Sequence, residues 1–169
     1  LSVSNATAVE GNAIEFPVTI TADREISVVV AYKTTDGTAE DGVDYSGTQT
    51  GSLTIPAGLS GQIANISIAT TADVIDEGDE NFSLTISSTD PKATISTAAA
   101  EGIIQNNDFT VVVTQSAHGV IAPAGDASGN VFLEEGSSQT FTITPETDYC
   151  TVDVLVDGVS QGVVDAYTL

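Results

Sequence analysis

The chain has 169 residues, with 24 acidic and 3 basic side chains, and a formal net charge of −21 at pH 7. Nucleic acids and anionic lipids are bound largely through Lys and Arg, so this charge excludes both as partners and favours cations. The residues are 41% hydrophobic but include no Trp or Met, so the core must be mainly aliphatic, which favours β-strands. The sequence contains no apolar stretch long enough to cross a membrane and no signal peptide.

Apolar and polar residues alternate through most of residues 1–108. A period of two indicates β-strands with one buried face. The spacing predicts about seven strands, arranged as an immunoglobulin-like antiparallel β-sandwich. The predicted strands span residues 1–3, 14–20, 26–32, 53–55, 64–68, 82–86 and 99–104.

Acidic, glycine-bearing loops connect these strands at residues 9–12, 36–45 and 73–80, and Asp108 follows the last strand. Each loop alone is ordinary, because Asp, Asn and Gly are the residues that turns require. Carboxylates at several strand ends can, however, converge on one tip of a sandwich, where they repel each other unless a hard cation lies between them. Ca²⁺ accepts roughly six to eight oxygen ligands in a flexible geometry. The alternative is that these acids are solvated loop residues.

Seven short motifs occur in order along residues 1–108. They are VEG at 9–11, FPV at 16–18, YKTTDGTA at 32–39, GVDY at 42–45, IPAG at 55–58, DEGDENF at 76–82 and GII at 102–104. This series resembles the Calx-β repeat of sodium/calcium exchangers, of the cytoplasmic part of an integrin β subunit, and of many bacterial surface proteins. The resemblance implies a seven-stranded immunoglobulin-like sandwich that binds calcium.

The resemblance also implies a set of calcium ligands, one or two from each acidic loop. They correspond here to Glu10, Asp36, Asp73, Glu77 and Asp108. Glu80 is a weaker candidate, Asp44 is predicted to be a turn acceptor, and Tyr45 is predicted to pack beneath its loop.

This chain departs from the calcium-regulated members at three positions. Ala72 stands where they carry an aspartate, and Asn106 and Asn107 replace part of their terminal acidic run. Fewer carboxylates predict one or two sites with a dissociation constant of roughly 10⁻⁴ to 10⁻³ M.

Residues 109–169 form a second segment with 8 acidic and no basic residues. Short alternating stretches lie at 111–113, 120–121, 131–133, 141–143 and 152–156, and Asp157-Gly158 predicts a hairpin turn. The motifs GVIAP at 119–123, QTFTITP at 139–145 and VLVDG at 154–158 resemble the divergent InlB-type B-repeats of bacterial surface proteins. The resemblance implies a small β-rich, grasp-like domain that serves as a spacer or adhesive unit.

Nothing in the sequence predicts catalysis. The single cysteine, Cys150, excludes an internal disulfide and a Cys-based zinc site, and its neighbouring alternation predicts a buried thiol. The single histidine, His118, is predicted to lie in a solvated turn. With no further partner for either residue, we expect no catalytic dyad and no enzymatic activity.

We therefore expect a calcium-binding structural or adhesion module, with domains at 1–108 and 109–169, in which Ca²⁺ stiffens the loops and the joint between domains. The two resemblances imply a larger bacterial secreted or cell-surface protein as the setting. Because the sequence begins without Met and ends within a pattern, we expect a fragment whose second domain is truncated at its C-terminus. Expected partners are neighbouring domains and a surface protein or glycan. The alternative is a non-catalytic carbohydrate-binding or spacer module of a secreted hydrolase.

Overall fold

The computed structural model describes residues 1–46, 50–91 and 93–169. These residues form sixteen β-strands and no helix, so none of them belongs to an apolar helix that could cross a membrane. The chain divides into two compact units. Unit 1 comprises Leu1–Asp73 and Glu77–Asn106, and unit 2 comprises Val74–Asp76 and Asn107–Leu169.

Unit 1 is a β-sandwich of two sheets. One sheet has the strand order β1-β3-β7-β5 and the other β2-β9-β8-β4-β6, with every neighbouring pair antiparallel except β2 and β9. These strands are β1 (Ser2–Val3), β2 (Ala6–Val9), β3 (Ala13–Thr19), β4 (Val28–Asp36), β5 (Tyr45–Ser46), β6 (Gly51–Ile55), β7 (Ile63–Thr70), β8 (Glu80–Ser87) and β9 (Ala99–Gln105). The all-β sandwich predicted from the alternation is confirmed.

The described part of unit 1 has two strands more than predicted. The first predicted strand is followed by a second, because the chain leaves β1, which pairs with β3, and enters β2, which pairs with β9 in the other sheet. The other addition is the short strand β5, which pairs with β7. Both additions are too short to give a period of their own, so the sequence pattern does not reveal them.

One end of the sandwich carries all three acidic loops. The register aligns Val9 with Gln105, Glu80 with Ile104, and Tyr45 with Thr70, so the corresponding strand ends lie together. We call this the acidic end. Its loops join β2 to β3, β4 to β5, and β7 to β8.

An aromatic cluster fills the core near the acidic end. The rings of Phe16 and Phe82 meet edge to face with centroids 5.8 Å apart, and Tyr45 stacks on Phe82 at 4.2 Å. Gly102 lies against both phenylalanines, and a Cβ there would lie 2.7 Å from Cζ of Phe16 and 2.8 Å from Cζ of Phe82. The GII motif therefore begins with glycine because the two rings occupy the space of a side chain.

Unit 2 consists of three small antiparallel sheets. Their orders are β10-β12, β11-β13-β16 and β14-β15. The strands are β10 (Asp108–Val112), β11 (Gly119–Ala122), β12 (Asn130–Glu134), β13 (Thr140–Pro145), β14 (Leu155–Val156), β15 (Val159–Ser160) and β16 (Ala166–Thr168). The predicted hairpin is confirmed: Asp157 and Gly158 join β14 to β15 with φ values of 49° and 78°, as a type I′ turn requires.

Two local predictions are wrong. The alternation predicts a strand that begins at Ile26. In the structure Ile26 lies in a bend with 58% of its surface exposed, and the strand begins at Val28. Cys150 was predicted to be a buried thiol and is exposed. It follows a turn in which Tyr149 N donates to Glu146 O at 3.0 Å, and the strand begins only at Leu155, so the alternation does not extend back to the cysteine. His118 is an exposed turn residue with a φ of 67°, as expected.

Candidate metal centre

The first acidic loop is a tight turn held against the end of β9. Glu10 N donates to Gln105 O at 3.1 Å, and Asn12 N donates back to Val9 O at 3.1 Å. Gly11 has a φ of 75°, and a Cβ at this position would lie 2.9 Å from Cβ of Ala72. The backbone of the first loop therefore lies directly against the start of the third loop, because glycine has no side chain to separate them.

The second loop is docked onto the start of β8 by reciprocal hydrogen bonds. Asn81 N donates to Oγ1 of Thr38 at 2.8 Å, while Thr38 N donates to Oδ1 of Asn81 at 3.3 Å. Ala39 N donates to Asn81 O, and the Ala39 side chain is fully buried. The DGTA motif thus folds this loop down onto the sandwich.

The same loop ends at Asp44, which is fixed from both sides. Its Oδ2 accepts a hydrogen bond from Glu40 N at 2.8 Å, as predicted for a turn acceptor. Its backbone carbonyl accepts from Thr71 N at 2.8 Å, which places Asp44 beside the end of β7.

These loops enclose a narrow cleft at the acidic end, with a cavity volume of about 10 Å³. That volume is roughly the room that one water molecule requires. Carboxyl oxygens of Asp44, Glu77 and Glu80 lie within 4.8 Å of one another. We call this the acidic cleft, and its lining residues are Glu10, Asp44, Thr71, Asp73, Glu77, Gly78, Glu80, Ile104 and Asn106.

The carboxylates of the acidic cleft oppose one another's ionisation. Partial burial, together with the charge of Asp44 and a hydrogen bond to it, raises the pKa of Glu80 from 4.5 to about 7. Burial and the charges of Asp44 and Asp73 also raise the pKa of Glu77. A bound cation would reverse both effects, because it favours the ionised carboxylates.

Three of the five ligands predicted from the sequence meet in this cleft: Glu10, Asp73 and Glu77. The structure does not bring Asp36 into it. Oδ1 of Asp36 accepts hydrogen bonds from the Tyr45 hydroxyl at 2.5 Å and from Asp41 N at 3.1 Å. Asp36 lines a different depression, beside Asn81 and Glu101.

The fifth predicted ligand, Asp108, belongs to unit 2. It is the first residue of β10, lies opposite Glu134 in the register, and has 6% of its surface exposed. Two residues further along β10, Thr110 N donates to Oδ2 of Asp76 at 3.1 Å, within the same unit.

In the structure, Asp44 and Glu80 also line the cleft, where their carboxylate oxygens could bind a metal ion. A signal for Glu80 was present in the sequence, because Glu80, Phe82 and Leu84 are spaced by two and therefore share one face of β8, the face that is buried at Phe82 and Leu84. No comparable signal existed for Asp44, whose position depends on how the second loop folds.

Fold and site together define an immunoglobulin-like β-sandwich with a carboxylate-lined cleft at one end. The chain belongs to the Calx-beta family: the family model described as the Calx-beta domain matches residues 3–108. A comparison with curated protein sequences gives no match.

Solved structures share this fold at low sequence identity. The apo form of the Calx CBD1 domain is 23% identical with a TM-score of 0.54, over 62% of this chain and 94% of that one. CBD12 from CALX1.2 is 19% identical with a TM-score of 0.55, over 86% of this chain and 80% of that one. The calcium binding domain CBD12 of CALX1.1 is 19% identical with a TM-score of 0.54, over 82% and 75%.

Proposed function

We propose that this chain is a non-catalytic calcium-binding module whose ion is held in the acidic cleft. The observation that carries the proposal is the convergence of five carboxylate side chains, and of no Lys or Arg, among the described residues that line it. The proposed ligands are Glu10, Asp44, Asp73, Glu77 and Glu80.

The donor chemistry fits Ca²⁺. Carboxylate oxygens are hard ligands, and the cleft contains no His or Cys side chain that would favour zinc or copper. Two neutral oxygen-bearing side chains, Thr71 and Asn106, also line it. Because the donors come from separate loops, the site suits the flexible, many-oxygen coordination of calcium better than the rigid octahedron of magnesium.

We propose that one or two ions bind weakly, with a dissociation constant of roughly 10⁻⁴ to 10⁻³ M. The small volume of the cleft supports a low number of ions. Ala72 and Asn106, which stand in place of acids in the calcium-regulated members, support the low affinity.

We further propose that calcium stiffens the joint between the two domains, taken as residues 1–108 and 109–169. Support comes from the third loop: its ends, Asp73 and Glu77, belong to unit 1, whereas Val74–Asp76 belong to unit 2. An ion that fixes Asp73 and Glu77 would restrict the segment between them. Asp108, at the start of β10, remains a proposed additional ligand.

The biological setting that we propose is the surface of a bacterial cell or a secreted bacterial protein, where the module acts in structure or adhesion. Support for a B-repeat domain at 109–169 comes from its motifs, which coincide with β11, β13 and the β14–β15 hairpin. The proposed partners are adjacent domains and a surface protein or glycan.

Calorimetric titration with CaCl₂ tests the calcium proposal. We expect one or two sites of weak affinity, and Glu77→Gln or Asp44→Asn to weaken binding by about tenfold or more, since each removes a charged ligand. Glu25→Gln removes the same charge from an exposed position beyond the C-terminal end of β3 and should change affinity little. Absence of binding at 10⁻² M, or equal losses in all three variants, would refute a specific site in the cleft.

Small-angle scattering in calcium and in chelator tests the stiffened joint separately. With calcium we expect the natural sequence to show a narrower distribution of interatomic distances. At the same calcium concentration, Glu77→Gln should show a smaller change, because it binds the ion more weakly. Identical profiles for a protein whose calcium binding has been demonstrated would rule out stiffening and leave the site itself intact.

A further inference from the structure

Unit 2 has a poorly closed core. Among the described residues, its only buried hydrophobic side chains are Leu133 and Phe141, whereas eighteen such side chains form the core cluster of unit 1. Large apolar residues of unit 2 remain in solvent, including Val112 at 65% and Leu155 at 64% exposure.

Val112 and Leu155 are among the residues that line an apolar groove of about 470 Å³. One wall is β10 and the residues that follow it, which contribute every position from 109 to 114. The other wall is made by β11, β13, β14 and β16, through side chains that include Ile121, Ile143, Leu155 and Tyr167. All of these residues belong to unit 2.

The edge of β10 determines what kind of ligand can enter. In an antiparallel pair, only alternate residues exchange backbone hydrogen bonds with the partner strand. Val113 N donates to Gly129 O at 2.7 Å. The backbone N–H and C=O groups of Val111 and Val113 therefore point toward β12, while those of Val112 point away from it. On that side no described strand pairs with β10, but Thr110 N already donates to Oδ2 of Asp76, so Val112 is the position open to a further strand. Such an edge offers hydrogen bonds to an extended backbone.

The acidic charge of unit 2 favours a ligand that carries basic residues at its ends. Residues 109–169 carry 8 acidic side chains and no basic one, and Asp157 lies in the wall of the groove. An acidic surface of this kind attracts and orients cationic segments.

We infer that the groove of unit 2 binds an extended peptide strand with alternating aliphatic side chains and flanking Lys or Arg residues. The strand adds to the edge of β10 at Val112, next to the position where Asp76 accepts from Thr110 N. Its aliphatic side chains enter the groove, and its basic residues face the acidic surface around it.

Titration of the full chain with the blocked peptide acetyl-KTVTVTVTVK-amide tests this inference by NMR. We expect saturable binding with a dissociation constant below about 1 mM and slower hydrogen exchange at the Val112 amide. The same peptide N-methylated on alternate residues keeps its side chains but loses the N–H groups of one edge, and should bind about tenfold more weakly. A version with Glu in place of both Lys residues should also bind more weakly, and more so at low salt.

Two protein variants give a matched comparison. Val112→Glu places a carboxylate in the groove at an exposed position, so the protein should fold but bind the peptide at least about tenfold more weakly. Val120→Glu makes the same change at a residue of β11 that is 52% exposed and outside the groove lining, and should bind normally.

Three results would overturn the inference: no saturable binding at millimolar peptide, equal binding of the N-methylated peptide, or equal effects of the two variants. A concentration-dependent dimer that the peptide dissociates would also overturn it, because the occupant of the groove would then be a second copy of this chain.

Discussion

The hydroxyl of Tyr45 donates a 2.5 Å hydrogen bond to Oδ1 of Asp36. Tyr45 is 1% exposed and its ring stacks on Phe82, so this bond links the acidic end to the aromatic core. Burial and the bond to Asp36 together raise the pKa of Tyr45 to about 12, so the phenol stays protonated and remains a donor at physiological pH. Asp36 therefore links the second loop to the aromatic core through Tyr45.

Removing the Tyr45 hydroxyl should destabilise unit 1. Tyr45→Phe keeps the stacked ring but leaves the carboxylate of Asp36 without its shortest hydrogen bond. Hydrogen bonds to charged groups contribute about 1.5–3 kcal/mol, so we expect a loss of that order in the free energy of unfolding, measured by urea denaturation. A loss below about 0.5 kcal/mol would show that the bond is not maintained in solution.

Asp36→Asn separates positioning from calcium ligation. The amide oxygen can still accept from Tyr45 and from Asp41 N, so the positioning role predicts less than about a threefold change in calcium affinity. A direct ligand would instead lose about tenfold or more when its charge is removed, as we expect for Asp44→Asn. Calorimetry on the two variants in parallel measures the difference. Equal losses would restore Asp36 to the ligand set.

Calcium should stabilise unit 1 in a concentration-dependent way. For one site with a dissociation constant of about 10⁻⁴ M, a concentration of about 10⁻² M is roughly 100 times that constant, which corresponds to about 2.7 kcal/mol. Thermal melts in calcium and in chelator measure this gain as a shift in Tm. Glu80→Gln should reduce the gain, while it raises the Tm of the metal-free protein because one repelling charge is gone. A lower metal-free Tm for this variant would contradict the repulsion inferred in the acidic cleft.

The pH dependence follows from the raised pKa of Glu80. An acid whose pKa is higher in the folded state, here about 7 against 4.5, binds a proton more tightly when the protein is folded. Metal-free stability should therefore increase as the pH falls from about 7 toward 4.5. Protons and calcium compete for the same carboxylates, so calcium affinity should decrease over the same interval. Glu77, whose pKa is also raised, acts in the same direction.

Urea denaturation and calorimetry across this pH range measure both effects. Glu80→Gln should flatten both curves. A metal-free protein that loses stability steadily as the pH falls from 7 would contradict the assigned direction.

Gly102→Ala should be destabilising through overpacking. The new Cβ would lie 2.7 Å from Cζ of Phe16 and 2.8 Å from Cζ of Phe82, and neither ring can move freely in the core. Overpacking of this kind costs about 1–3 kcal/mol. Gly78→Ala is the control, because a Cβ at Gly78 meets nothing within 4 Å. Equal stability of the two variants would show that the aromatic cluster is loosely packed.

Most of unit 1 could be predicted from the sequence because its strands bury one face. Phe82, Leu84 and Ile86 alternate with polar residues, and each is buried. The alternation of apolar and polar residues does not show where such a strand begins or ends. For this reason it wrongly predicts that the strand at 28–36 begins at Ile26. In unit 2 the buried set is too small to impose alternation, so the exposed Val152 resembled a strand residue.

The site was harder to predict than the fold. Asp36 and Asp44 are the two ends of one loop, and both are acidic, close to glycine and next to a strand. The difference between them arises from tertiary contacts. The Tyr45 hydroxyl holds the carboxylate of Asp36, while Thr71 holds the backbone of Asp44 beside the end of β7. No local pattern encodes which end of the loop faces the cleft.

The docking of the second loop onto Asn81 has a practical consequence for the choice of expression host. Asn81-Phe82-Ser83 is an N-glycosylation sequon. In the folded protein, Nδ2 of Asn81 donates to Glu101 and Oδ1 accepts from Thr38 N, while Gly37 lies close against the same side chain. A glycan attached by a eukaryotic secretory pathway before folding would therefore keep the second loop from closing. Production in a bacterial cytoplasm or periplasm, or the use of Ser83→Ala, avoids that modification.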